Sequence, residues 1–267
     1  MRPYLSLMKI RYTNDLQYRA AAAAGCATQL AFGLIFILVY YAFYREGGAE
    51  FPMEMKAVAS YIWLEQAFLA LFMSWFFDRE ILNGIQSGTV AVELCRPVNL
   101  YRMWYVKTLA VRFSKATLRF APILLVAALL PEPIGLSLPA SFGAFCLFAV
   151  TMLLGVLVLT SLTMLVYTAT FYTLSPAGIT QIAMVTIEFF SGQLLPLPFY
   201  PPVLYKICSW LPFASISNVP FRIYSGDLAG GAMAQAIGLQ AFWLVALTAL
   251  GSAWNRRALR RVVVQGG

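Results

Sequence analysis

Two carboxylates and a carboxamide sit where water should be absent. Glu65 and Glu188 interrupt long apolar runs, and Gln193 follows Glu188 by five residues. A charge at mid-bilayer costs at least about 2.5–3.5 kcal/mol on insertion scales, so each carboxylate should face protein and find a partner. Two chemistries fit. One is a cation or proton site on a translocation pathway. The other is a protonated Glu hydrogen-bonded across helices, with Gln66, Thr186 or Gln193 as neighbours. A third polar feature is basic: Arg112, Lys115 and Arg119 recur at helical spacing on one face. Long cationic side chains at a helix end reach out to headgroup phosphates, so snorkelling is one reading of this stripe. Contact with an anionic or lipid-like substrate is the other.

The remaining reactive inventory is thin. The chain has no His, which removes imidazole bases and imidazole metal ligands. Cys26, Cys95, Cys146 and Cys208 are scattered between apolar runs and loops and form no disulfide framework. A GxxxxGK[ST] phosphate loop, a Ser nucleophile elbow and HExxH are all missing. No catalytic residue, metal or cofactor is therefore expected in this chain. Uphill transport would draw on a partner or an ion gradient.

The elements that position these residues follow from composition. Of 267 residues, 61% are hydrophobic and 11% charged, with a mean hydropathy of +0.74. Soluble domains carry roughly 25% charged residues, so lipid must be the solvent for most of this surface. The expected fold is an all-α integral membrane protein with six transmembrane helices, at about 20–44, 57–77, 111–130, 139–167, 177–195 and 228–255. The first apolar run is 25 residues long without a charge. That exceeds the roughly 7–15 of a cleavable leader and suits a retained span. Residues 1–19 form an amphipathic cytoplasmic-interface helix, with Tyr4, Leu5, Met8, Tyr12 and Leu16 on one side and Lys9, Arg11 and Asp15 elsewhere. Ser175-Pro176 marks the start of the fifth span. Six prolines between Pro196 and Pro220 forbid one continuous helix there, so short helices dipping into the outer interface are expected. A short basic tail, 256–267, closes the chain.

Phe77 to Arg119 is the one long polar interruption, holding seven of nineteen Lys and Arg residues. Counting these residues at alternate ends of the spans gives fifteen on the side of both termini and four on the other. The bias puts both termini and the 77–119 stretch in the cytoplasm. The basic balance therefore reports topology and anionic headgroups, not nucleic acid. Within the stretch, Gly88 breaks the chain, 89–94 suits a short helix, and Arg96-Pro97 ends it. Such a helix is a natural docking point for a soluble protein.

These residues carry a resemblance. GTVAVELCRPVNLYR (Gly88 to Arg102) resembles a motif of type-2 ATP-binding-cassette (ABC) exporter permeases. So does FFSGQLLPLPFYPPVLYKICSWLPFASISNVPFRIYSG (Phe189 to Gly226), and YLSLMKIRYTNDLQYRA is similar to that family's first helix. The resemblance implies a six-helix half-transporter in a bacterial plasma (inner) membrane. It would pair with an identical or related permease over two ATPase subunits that bind ATP and Mg. It also implies a coupling helix within 79–97, with Arg79, Glu80, Gly88, Glu93, Arg96 and Pro97 as its residues. Re-entrant extracellular helices would form an outer gate, with Pro196, Pro198, Trp210 and Pro212. Glu65, Glu188 and Gln193 are then candidates for the pathway. The substrate class would be a drug, antibiotic, lipid or other amphipathic molecule. The competing reading is an ion-coupled secondary transporter using Glu65 and Glu188, against which the two halves show no internal repeat.

Overall fold

A computed structural model of the protein describes residues 2–17, 19–47, 51–173 and 175–260. Among these the chain is helical throughout, with no strand. Helix α1 (Arg2–Asp15) leads into α2 (Arg19–Glu46) and α3 (Met55–Phe72). The polar stretch holds α4 (Arg79–Ser87), α5 (Val90–Leu94) and α6 (Leu100–Thr117), followed by α7 (Phe120–Leu129). Then come α8 (Phe142–Thr170), α9 (Pro176–Ser191), α10 (Pro202–Trp210), α11 (Asn218–Ser225) and α12 (Gly230–Leu259), with 3-10 turns at Leu197–Phe199 and Pro212–Ser215. Among the described residues three helices are long and apolar enough to cross a bilayer: Arg19–Glu46, Phe142–Thr170 and Gly230–Leu259.

Helix α8 is the hub, packing against α12, α11 and α6. It is apolar overall yet buries Thr151, Thr160, Ser161, Thr163, Thr168 and Thr170. Each of these hydroxyls donates to a carbonyl of the preceding turn, at 2.7–3.1 Å. Small, self-satisfied polar residues let neighbouring helices approach closely. At Gly155 the approach is extreme, since a Cβ there would lie 2.2 Å from the Ile216 carbonyl oxygen. Gln240 of α12 completes the junction, its Nε2 donating to Thr151 O at 2.9 Å and Ser215 O at 2.7 Å.

The element starts follow local chemistry. Asn99 and Ser141 accept from backbone amides three residues on, each at 3.0 Å, and cap α6 and α8. Ser175 caps α9, whose first residue is Pro176, as expected from the sequence.

Three expectations need correction. The second span does not run to 77, because α3 ends at Phe72. The third is not one helix, because α6 and α7 part at Leu118 and Arg119. Pro122 accounts for that break: it has no N–H to give the Leu118 carbonyl, and its ring crowds that oxygen. Helix α1 keeps its expected stripe, with Tyr4, Met8, Tyr12 and Leu16 half-buried, and departs from expectation only at the edges of that stripe. Arg11 and Asp15 lie on its packed side, against Glu80 and Ser114 of neighbouring helices, whereas Leu5 is 65% exposed. Its partner is α6, along which it runs, with Tyr4 Oη accepting from Asn99 N and Tyr12 Oη donating to Thr117 Oγ1. The region 196–225 is built of short helices, as the prolines require. Of the basic tail, 256–260 are described and 261–267 lie outside the described residues.

Candidate functional site

Two places gather the residues singled out above. The first is the polar stretch. Asp78 caps α4 by accepting from Glu80 N at 2.9 Å, and Gly88 ends it with φ 75°, a left-handed turn that any side chain would strain. The apolar side of α4 and α5 roots this unit. Ile81, Leu82 and Val90 pack with Leu100, Tyr101 and Trp104 of α6 and with Met164 and Tyr167 of α8.

Charges fix the same unit. Lys107, buried on α6, reaches Asp78 at 3.1 Å and Glu80 at 2.7 Å, and Arg11 reaches Glu80 at 2.6 Å. The hydrogen bonds from Lys107 and then Arg11 pull the Glu80 carboxyl down to about 2 from 4.5. Glu93 accepts from Trp104 Nε1 at 2.8 Å. Glu80 and Glu93 thus act inside the chain. Arg79, Arg96 and Pro97 are exposed and have no side-chain partner within the unit among the described residues, and Val92 is 65% and Leu94 41% exposed. An apolar tip edged by cations, standing on a buried root, suits capture by a protein groove.

The second place is the broken end of α3. The helix stops with three carbonyls to satisfy, and distant side chains do it. Arg112 Nη1 donates to Leu71 O at 3.2 Å and Met73 O at 2.8 Å, and Gln193 Nε2 donates to Phe72 O at 3.1 Å. Arg112 is 0% exposed, and its Nη2 reaches Thr163 Oγ1 at 3.3 Å. It does not snorkel; it caps a helix. Glu188 accepts from Ser74 Oγ at 2.8 Å in the same break. Arg112, Glu188 and Gln193 therefore converge on residues 71–74.

Glu65 stands apart from them. It is half-buried on α3 with no hydrogen bond or ion pair among the described residues, beside Tyr40 and Tyr61. No hydrogen bond joins it to Glu188. Sequence reasoning missed Arg112 as a cap because its partners lie 39 and 41 residues away.

The proline-rich region forms a further cluster. Leu197, Tyr200, Cys208 and Ala214 bury one another, Pro196 and Pro212 are buried, and Trp210 is 55% exposed. Trp243 Nε1 of α12 donates to Trp210 O at 2.9 Å. Arg222 pairs with Asp227 and donates to Tyr205 Oη at 3.0 Å. The sequence that builds these elements matches a known family. The model described as ABC-2 family transporter protein matches residues 27–266. The chain belongs to that family. It is a multi-pass membrane protein, the permease component of an ABC transporter, and it works with an ABC ATPase partner. No curated protein matches it.

Proposed function

We propose that the permease is half of an exporter whose ATPase docks on residues 79–97. Two copies, or one copy and a related permease, form the pathway in a bacterial plasma membrane above two ATPase subunits that bind ATP and Mg. The six spans are α2, α3, α6 with α7, α8, α9 with the short helices after it, and α12, with both termini cytoplasmic. Approach of the ATPases moves α5, and the movement passes to α6 and α8 through Trp104 and Tyr167. Glu65, Glu188 and Gln193 border the pathway. The region of Pro196, Pro198, Trp210 and Pro212 closes its outer end. The substrate is amphipathic: a drug, an antibiotic or a lipid.

The observation that carries this reading is the contrast within one short element. Val92, Leu94 and Arg96 are exposed, while Val90 is buried and Glu93 is tied to Trp104. The test is co-purification of the permease with its ABC ATPase partner. Leu94→Asp with Arg96→Glu should weaken that association about tenfold or more while the melting temperature is kept. Undiminished association would overturn the docking assignment. Transport that stops on ATP depletion yet survives a protonophore distinguishes this mechanism from an ion-coupled carrier.

A further inference from the structure

Between α1, the start of α2 and the α6–α7 break lies a cavity of about 370 Å³, lined by Asp15, Ala21, Ala22, Lys115, Leu118 and Arg119. Its charges do not balance. Lys115 and Arg119 bring two positive charges against one carboxylate, and Asp15 already accepts from Ser114 Oγ at 3.0 Å. Neither cation has a side-chain hydrogen bond or ion pair among the described residues. Lys115 Nζ lies 4.1 Å from the centre of the Phe76 ring, a contact that leaves its N–H donors free of acceptors. Arg112, one turn before Lys115, has no acidic partner among the described residues and adds to the positive potential.

Depth and walls narrow the ligand. The Arg119 guanidinium lies against Gly25, where a Cβ would come within 2.7 Å of its Cζ. Gly25 is six residues into α2, roughly 9 Å along the axis. Since α2 is long enough to cross a bilayer, the cavity sits near headgroup and glycerol level, not at mid-membrane. The first turn of α2, at Ala21 and Ala22, adds the positive end of its dipole. Beside the cavity α7 presents an apolar flank to lipid, with Leu125 and Leu129 exposed.

We infer that this cavity binds the phosphate of an anionic phospholipid, whose acyl chains lie along α2 and α7. The lipid neutralises Lys115 and Arg119 and ties α1 to the bundle, independently of which substrate is carried. A soluble phosphate would use the cations but not the apolar flank.

Native mass spectrometry of the full-length, delipidated protein tests this with phosphatidylglycerol, phosphatidylcholine and inorganic phosphate as probes. One phosphatidylglycerol per chain should bind in preference to phosphatidylcholine. Lys115→Gln and Arg119→Gln should each weaken it about fivefold, Arg119→Lys should largely restore it, and Arg102→Gln, on an exposed cation elsewhere, should leave it unchanged. If Arg119→Gln fails to fold, Lys115→Gln alone decides. Equal binding of phosphatidylcholine, or unaltered binding in the Lys115 and Arg119 variants, would overturn the site. Inorganic phosphate that displaces phosphatidylglycerol with comparable affinity would make it an ion site and overturn the lipid assignment.

Discussion

Glu80 joins three helices through one carboxylate, since Lys107 of α6 and Arg11 of α1 share its Oε2. Its carboxyl is held at about 2, against an ordinary 4.5, so the folded state favours the charged form. A depressed carboxylate stabilises fully above its ordinary value, and that contribution fades as pH falls toward the folded one. The window is therefore about pH 4.5 down to 2. Because the Glu80 side chain is 62% exposed, solvent and salt screen the effect, and it should be a local one. Hydrogen exchange in α1 should stay constant from neutral pH to about 5, once intrinsic exchange rates are divided out, and then accelerate through that window. Glu80→Gln should raise α1 exchange at neutral pH and flatten the acid response. An acid response that persists unchanged in Glu80→Gln would assign it to other carboxylates.

At the scale of elements, what could be foreseen divides by the range of the interactions. The caps at Ser175, Asn99 and Ser141, the short helix after Gly88 and the fragmentation of 196–225 depend on residues within a few positions. The sequence pattern shows most of them. The split at Leu118 also had a local sign in Pro122, masked by the apolar run around it. The end of α3 at Phe72 had none: the following MSWFFD contains neither Gly nor Pro. Its carbonyls are satisfied by Arg112 and Gln193 from elsewhere in the chain. A basic residue in a nearly apolar helix looks like a headgroup anchor until its partners are known. Glu80 and Glu93 mislead in the same way, because residue type alone does not say whether a carboxylate faces a neighbour or a partner. Arg112→Ala should free two buried carbonyls and destabilise the protein by about 2–4 kcal/mol, partly offset by removing a buried charge. Arg112→Lys, lacking the fork that reaches both carbonyls, should fall between. Thermal unfolding in detergent measures both, and melting of Arg112→Ala at the native temperature would rule out the capping role.

For the whole molecule the decisive quantity is sidedness. Fifteen of nineteen Lys and Arg residues fall on the proposed cytoplasmic side, which includes the loop carrying Cys95. That thiol is exposed, whereas Cys26 and Cys208 are buried, so a variant with Cys146→Ser leaves Cys95 as the accessible reporter. A membrane-impermeant maleimide should label it in inside-out vesicles and not in right-side-out ones. Lys206→Cys, placed in α10 of a background with both Cys95→Ser and Cys146→Ser, should show the opposite preference. Because Cys95 adjoins the exposed Leu94 and Arg96, co-expression of the ATPase should also slow its labelling in inside-out vesicles. The two effects answer separate questions. Labelling of Cys95 from the outer face would invert the membrane topology. Correct sidedness with no protection by the ATPase would keep the topology and move the docking surface away from α5.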